Sequence, residues 1–153
     1  MSQLSNQEAA NGWNQEIAID FSDFSVAKAG VLADNATKTF TYTLPAGSQV
    51  RHAAVRLDEA FDDSGAGDEL NVTVGDGVDP DGYITTAALH TDQTEITYVA
   101  NTGALLDNEN GKVYTVADTV DILFTPNVST GTDYSLNELT SGKVVVKLFV
   151  AQI

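Results

Sequence analysis

Three carboxylates, Asp76, Asp79 and Asp81, sit within the octet Gly75-Asp76-Gly77-Val78-Asp79-Pro80-Asp81-Gly82 with no cation among them. Clustered carboxylates are the ligands a hard cation such as Ca2+ takes. The helix-loop-helix calcium loop wants carboxylates at its first, third and fifth positions, Gly at the sixth and Glu at the twelfth. Setting Gly82 at the sixth puts Gly77 at the first and Ala88 at the twelfth, so that pattern fails. An irregular site using Asp76, Asp79 and Asp81 with backbone carbonyls stands against a plain turn, in which Asp side chains bond back to the backbone. The expectation is no cofactor, with Ca2+ as the candidate to test.

Other constellations lead to less. Asp63-Ser64-Gly65 matches the core of aspartic proteases, whose chemistry needs two carboxylates sharing one proton and hence a dimer of so short a chain. Those enzymes place apolar residues before the Asp, and Asp62 stands there instead. Asp58 and Glu59 could serve a glycosidase, but neighbours on a strand point to opposite faces. His52 and His90 are the only histidines and lack metal-ligand spacing. No nucleophile elbow, phosphate-cradling loop or zinc-protease helix motif is present. With no cysteine, disulfides and thiolate sites are excluded. The reading is no enzyme and no catalytic residue.

The charge narrows the partners. Twenty-two acidic against seven basic residues give a net charge of −15. Phosphate contacts need clustered Lys or Arg, so nucleic acid is not expected as a partner, nor an anionic membrane. A partner with basic patches fits better. The start, Met1 to Gln7, lacks the basic and apolar regions of a signal peptide, and apolar runs are far short of a membrane span. A soluble protein made in a cytoplasm is expected.

The elements that must position these residues read as strands. Leu70, Val72 and Val74 alternate with Asn71 and Thr73, and a second run, Tyr83 to Leu89, follows the acidic octet. Ile17, Ile19 and Phe21 mark a first strand, and Ser22 to Asn35 is ambiguous, with one helical turn weakened by Gly30. Thr37 to Leu44 sets Phe40, Tyr42 and Leu44 on one face and three threonines on the other. Val50 to Phe61 turns Ala53, Val55 and Leu57 one way. Further strands are expected at Ile96–Tyr98, Val120–Phe124 and Lys143 to Ile153, with Leu105, Leu106, Tyr134, Leu136 and Leu139 as loop anchors. About eight strands joined by turn signals predict an all-β fold, a single-domain antiparallel sandwich of jelly-roll type spanning 15–153, after a flexible N-terminal arm over 1–14.

The run L-x-V-x-V-G-D-G-x-D-x-D-G-Y-I from Leu70, preceded by V-x-L-x-x-A-F over Val55 to Phe61, resembles virion proteins of tailed bacteriophages, of the small β-sandwich head-decoration (cement) type. The likeness is clearest over the middle third of the chain. It implies a virion structural protein, a subunit that binds and stabilises the head lattice, with the major capsid protein or another virion protein as partner and a trimer as the favoured homo-oligomer. The alternative is a carbohydrate-binding jelly-roll module stacking sugars on Trp13, Tyr83, Tyr114 and Tyr134, in a fibre or adhesin.

The last strand is apolar on both faces. Val144, Val146, Leu148 and Val150 share one, while Val145 and Phe149 line the other and Ile153 continues their parity. Val145, Phe149 and Ile153 are therefore the expected subunit interface, unless loops of the same chain cover them. Trp13 is the expected contact of the arm.

Overall fold

The computed structural model describes residues 13–63, 70–89, 98–100, 102–106, 112–126 and 133–153. It is a sandwich of two antiparallel sheets. The strands are β1 (Gln15–Asp20), β2 (Lys38–Leu44), β3 (Ser48–Asp63), β4 (Leu70–Gly75), β5 (Ile84–Ala88), β6 (Tyr98–Ala100), β7 (Val113–Tyr114), β8 (Asp118–Pro126) and β9 (Leu139–Gln152). One sheet runs β1-β9-β3-β6 with β7 also on β3; the other runs β2-β8-β4-β5.

That order is a jelly roll. Leaving β7 aside, successive strands cross between the sheets except at the β4–β5 hairpin, which nests two Greek keys. The two-residue β7 is too short to show a period and was not expected from the sequence. Residues 90–97, including His90 and Ile96 of an expected strand, lie outside the described residues, as does Ser64 of the Asp-Ser-Gly match.

Alternation sets the core. On β8, Val120, Ile122 and Phe124 are fully buried while their neighbours are half exposed. On β3, Ala53, Val55 and Leu57 face inward as the period requires. Thr39, Thr41 and Thr43 of β2 are exposed, where their hydroxyls stay wet.

The first strand ends earlier than expected. Asp20 caps a 3-10 turn over Phe21–Phe24, accepting from the Ser22 N–H at 2.8 Å while Asp23 accepts from the Asp20 N–H at 2.9 Å. Phe21 thus leaves the strand and lies 38% exposed, and Phe24 takes the core position. A single helical turn, α1 (Val26–Ala29), follows and stops at Gly30 with φ +77°. Asn137 holds this crossover down: its amide donates to the Phe24 carbonyl at 2.6 Å and the Gly30 carbonyl at 3.1 Å, and it accepts from the Leu32 N–H at 2.7 Å. Tyr134 and Leu136 anchor the same loop in the core, and Leu105 and Leu106 pack against it from the other end.

Contacts with β9 also reach residue 14, before the start of β1. The Asn14 side chain donates to the Val150 carbonyl at 2.7 Å and accepts from its N–H at 2.9 Å, tying the entry of β1 to β9. Residues 1–12 lie outside the described part. Among the described residues no helix is long and apolar enough to cross a membrane.

Candidate functional site

The acidic octet closes one end of the sandwich. Gly75 and Gly103 allow its tight path: a Cβ on Gly75 would stand 2.0 Å from the Asp79 carbonyl, and one on Gly103 2.1 Å from Gly82. The Asp76 and Gly82 N–H groups both donate to the Asp79 carbonyl, at 2.9 and 3.1 Å, and Gly103 and Leu105 donate to the Tyr83 and Gly82 carbonyls. The turn is thereby welded to the loop over Thr102–Leu106.

Asp76 is the hub. Its side chain is fully buried, with Oδ1 accepting from the Val78 and Asp79 N–H groups at 2.9 and 2.8 Å. Oδ2 accepts from Lys112 Nζ at 2.5 Å and the Tyr114 hydroxyl at 2.8 Å. The Tyr114 and Tyr83 hydroxyls bond to each other in turn, and the Lys112 ammonium lies 4.8 Å from the centre of the Tyr114 ring. Burial alone would push the Asp76 carboxyl up, but the bonds from Lys112, the Asp79 N–H, Tyr114 and the Val78 N–H outweigh it and bring it to about 2. Burial, offset in part by the bond to Tyr114, pushes Tyr83 up to about 12. Tyr114 rises too, first through burial and then through its bonds to Tyr83 and Asp76.

Chemically this is a staple. Two donors on each oxygen occupy the lone pairs of Asp76 that a cation would need, so the expected trio of Asp76, Asp79 and Asp81 does not act together. Asp79 and Asp81 stay at the surface, where the hydrogen bond shared with Asp81 raises the Asp79 carboxyl above its usual range. Among the described residues no group of three or more acids, histidines or cysteines is placed to hold a metal.

Beside those surface carboxylates this end also presents apolar side chains. Val78 at the tip of the octet is 87% exposed, Val116 70%, Ile153 69% and Val113 42%. Hydrogen bonds tie the segments that carry three of them: Ile153 donates to the Gly47 carbonyl at 2.8 Å, Gly47 to that of Tyr114, next to Val113, at 2.7 Å, and the Tyr114 hydroxyl donates to Asp76, two residues before Val78. Sequence reasoning missed Lys112, Tyr114 and Tyr83 as members of one site. The single signal was an Asp between two glycines, and its direct side-chain partners, Lys112 and Tyr114, come from the β7 side of the other sheet.

The tyrosines expected to face a sugar do not do so. Tyr83, Tyr114 and Tyr134 are buried, at 0%, 4% and 2% exposure, so none of them offers a face to a sugar. Trp13 packs edge-on to His52 at 6.1 Å between ring centres, and His52 stacks on Phe149 at 6.0 Å, on the outer face of the β1-β9-β3 sheet. Val145 shares that face but is only 1% exposed. It lies in register between Ala18 of β1 and Arg56 of β3, covered within one chain. Of the expected interface, Val145 is therefore withdrawn, Phe149 is half buried and Ile153 belongs with the apolar end instead. Asp63 is buried at the end of β3, and Asp58 is a bulge residue bonded by Arg56 at 2.6 Å. Compared with models of protein families, with curated proteins and with solved structures, the chain matches none of them.

Proposed function

We propose that this protein is a structural subunit of a tailed-bacteriophage virion, of head-decoration type, which acts by binding a repeating protein surface. The observation that carries the reading is the stapled end: a buried Asp76 network fixes the loops that hold Val78, Val113, Val116 and Ile153 in water. Apolar side chains on pre-ordered loops dock with little ordering entropy, and many copies on a lattice turn a modest single contact into avidity. The jelly-roll order and the resemblance of the Leu70 to Ile84 run support the same reading, and the acidic surface suits a partner with basic patches.

The test is co-sedimentation of the purified protein with phage heads assembled without it. Saturable binding that Val78→Asp with Val116→Asp abolishes, while the melting temperature holds, is the expected result. Binding indifferent to those substitutions would move the contact to another face. No binding to heads together with retention on a glycan array would replace the virion reading with the carbohydrate-binding one.

A further inference from the structure

The edges of the two sheets are not equally protected. A strand edge carries unpaired backbone donors and acceptors, and proteins blunt it with charge, proline, bulges, short strands or a covering loop. On β1 the edge carries Glu16 and Asp20. β6 has three residues. β5 is bulged against β4 and covered at its start, where the Thr85 N–H donates to Thr102 Oγ1 at 3.0 Å. β2, Lys-Thr-Phe-Thr-Tyr-Thr-Leu, has a regular register with β8, no bulge and no interior proline, and its one charge is Lys38 at the first position. Among the described residues β8 is its one pairing partner, which leaves seven residues of open edge in a chain of net charge −15. Beside it lies a groove of about 470 Å3, lined by Ile17, Ile19, Thr39, Phe40, Asp23 and Lys28.

We infer that this edge pairs with β2 of a second copy, antiparallel about a two-fold axis at Thr41, joining two four-stranded sheets into one. The occupant follows from charge and register. No acidic residue occurs from Asn35 to Leu57, so two paired β2 strands set no carboxylate against carboxylate, and Asp23 of the adjoining groove is paired with Lys28 at 3.2 Å. A two-fold at Thr41 sets Thr41 opposite the partner's Thr41 and Thr39 opposite the partner's Thr43 on the wet face. On the inner face it sets Phe40 opposite the partner's Tyr42. Threonine pairs and aromatic pairs are favourable cross-strand neighbours, and the arrangement is self-complementary as a two-fold contact must be. The two grooves then adjoin, and Phe40 and Tyr42, each half buried against its own core, lose more of their remaining contact with water. Of the face expected to form the interface, Val145 is already covered within one chain, between β1 and β3.

The experiment is sedimentation of the full chain over a concentration series. A dimer is expected, tightened by added salt because salt screens the repulsion of two acidic subunits. Thr39→Lys with Thr43→Lys changes two exposed positions and sets like charges opposite each other twice, weakening the dimer about tenfold. Thr39→Lys with Thr43→Glu sets opposite charges there and keeps it. Circular dichroism shows that each variant stays folded. A monomeric wild type, the trimer that the family resemblance implies, or a dimer indifferent to the paired lysines, overturns the inference.

Discussion

At one end of the sandwich Phe24 meets Phe124, Phe40 and Phe61 edge to face at 5.0, 5.3 and 6.1 Å, whereas at the other a carboxylate, an ammonium and two tyrosine hydroxyls make the closure. Each solves the same problem, since the chain must cross between the sheets without leaving their edges of core open. The phenylalanine end does so with contacts that need no orientation beyond shape and no charge. The Asp76 end needs four donors aimed at two oxygens, and it depends on ionisation. The first kind of closure is tolerant of conditions and intolerant of lost volume. The second is the reverse, and it also fixes the loops outside it.

Removing volume breaks the comparison hardest. Phe124→Ala takes the ring that touches Phe24, Phe40 and Phe61 and should cost about 4 kcal/mol in denaturant unfolding. That loss should stay flat from neutral pH down to acid. A loss that varied with pH would show that the two ends are coupled.

Asp76→Asn keeps a carbonyl oxygen for the Val78 and Asp79 N–H groups and removes the charge. The carboxyl falls from 3.8 to about 2 on folding, which corresponds to about 2 kcal/mol of stability at neutral pH. Because the folded value is depressed, that contribution is complete above 3.8 and is lost as pH falls through about 2. Melting curves of the two proteins should therefore converge in acid. Parallel curves would mean that the charge of Asp76 contributes nothing.

Tyr83→Phe is the mildest change, because Tyr114 still donates to Asp76. About 1 kcal/mol is expected at neutral pH. Tyr83 is raised from 10 to about 12 in the fold, so its contribution is present below 10 and fades as pH rises towards 12. The variant should lose less stability than the wild type over that alkaline range in thermal melts, and an equal loss would assign the whole effect to Tyr114.

Much of the fold is legible in the residues themselves. Val120, Ile122 and Phe124 announce an inward face and the threonines of β2 an outward one, because side-chain period is a local property, while Gly30, expected only to weaken a helical turn, ends it. Phe21 and Phe24 show where this fails: alternation favours Phe21, but the Asp20–Asp23 cap turns the chain one residue after the strand and gives the core to Phe24. Asp76 is harder still. Its turn is written in the flanking glycines, yet its ammonium partner lies 36 residues away and its hydroxyl partner 38.

Local pattern is enough to place most of the strands, the net charge of −15 and an acid-free segment over β2. Pairing in three dimensions sets which strand lies inside a sheet and which at its edge. That choice placed β9, apolar on both faces, between β1 and β3, left β2 with β8 as its one partner among the described residues, and buried the tyrosines that composition alone would have offered to a ligand. The reason is physical: side-chain period is fixed by consecutive residues, whereas strand order is fixed by pairing energies summed over segments far apart in the chain.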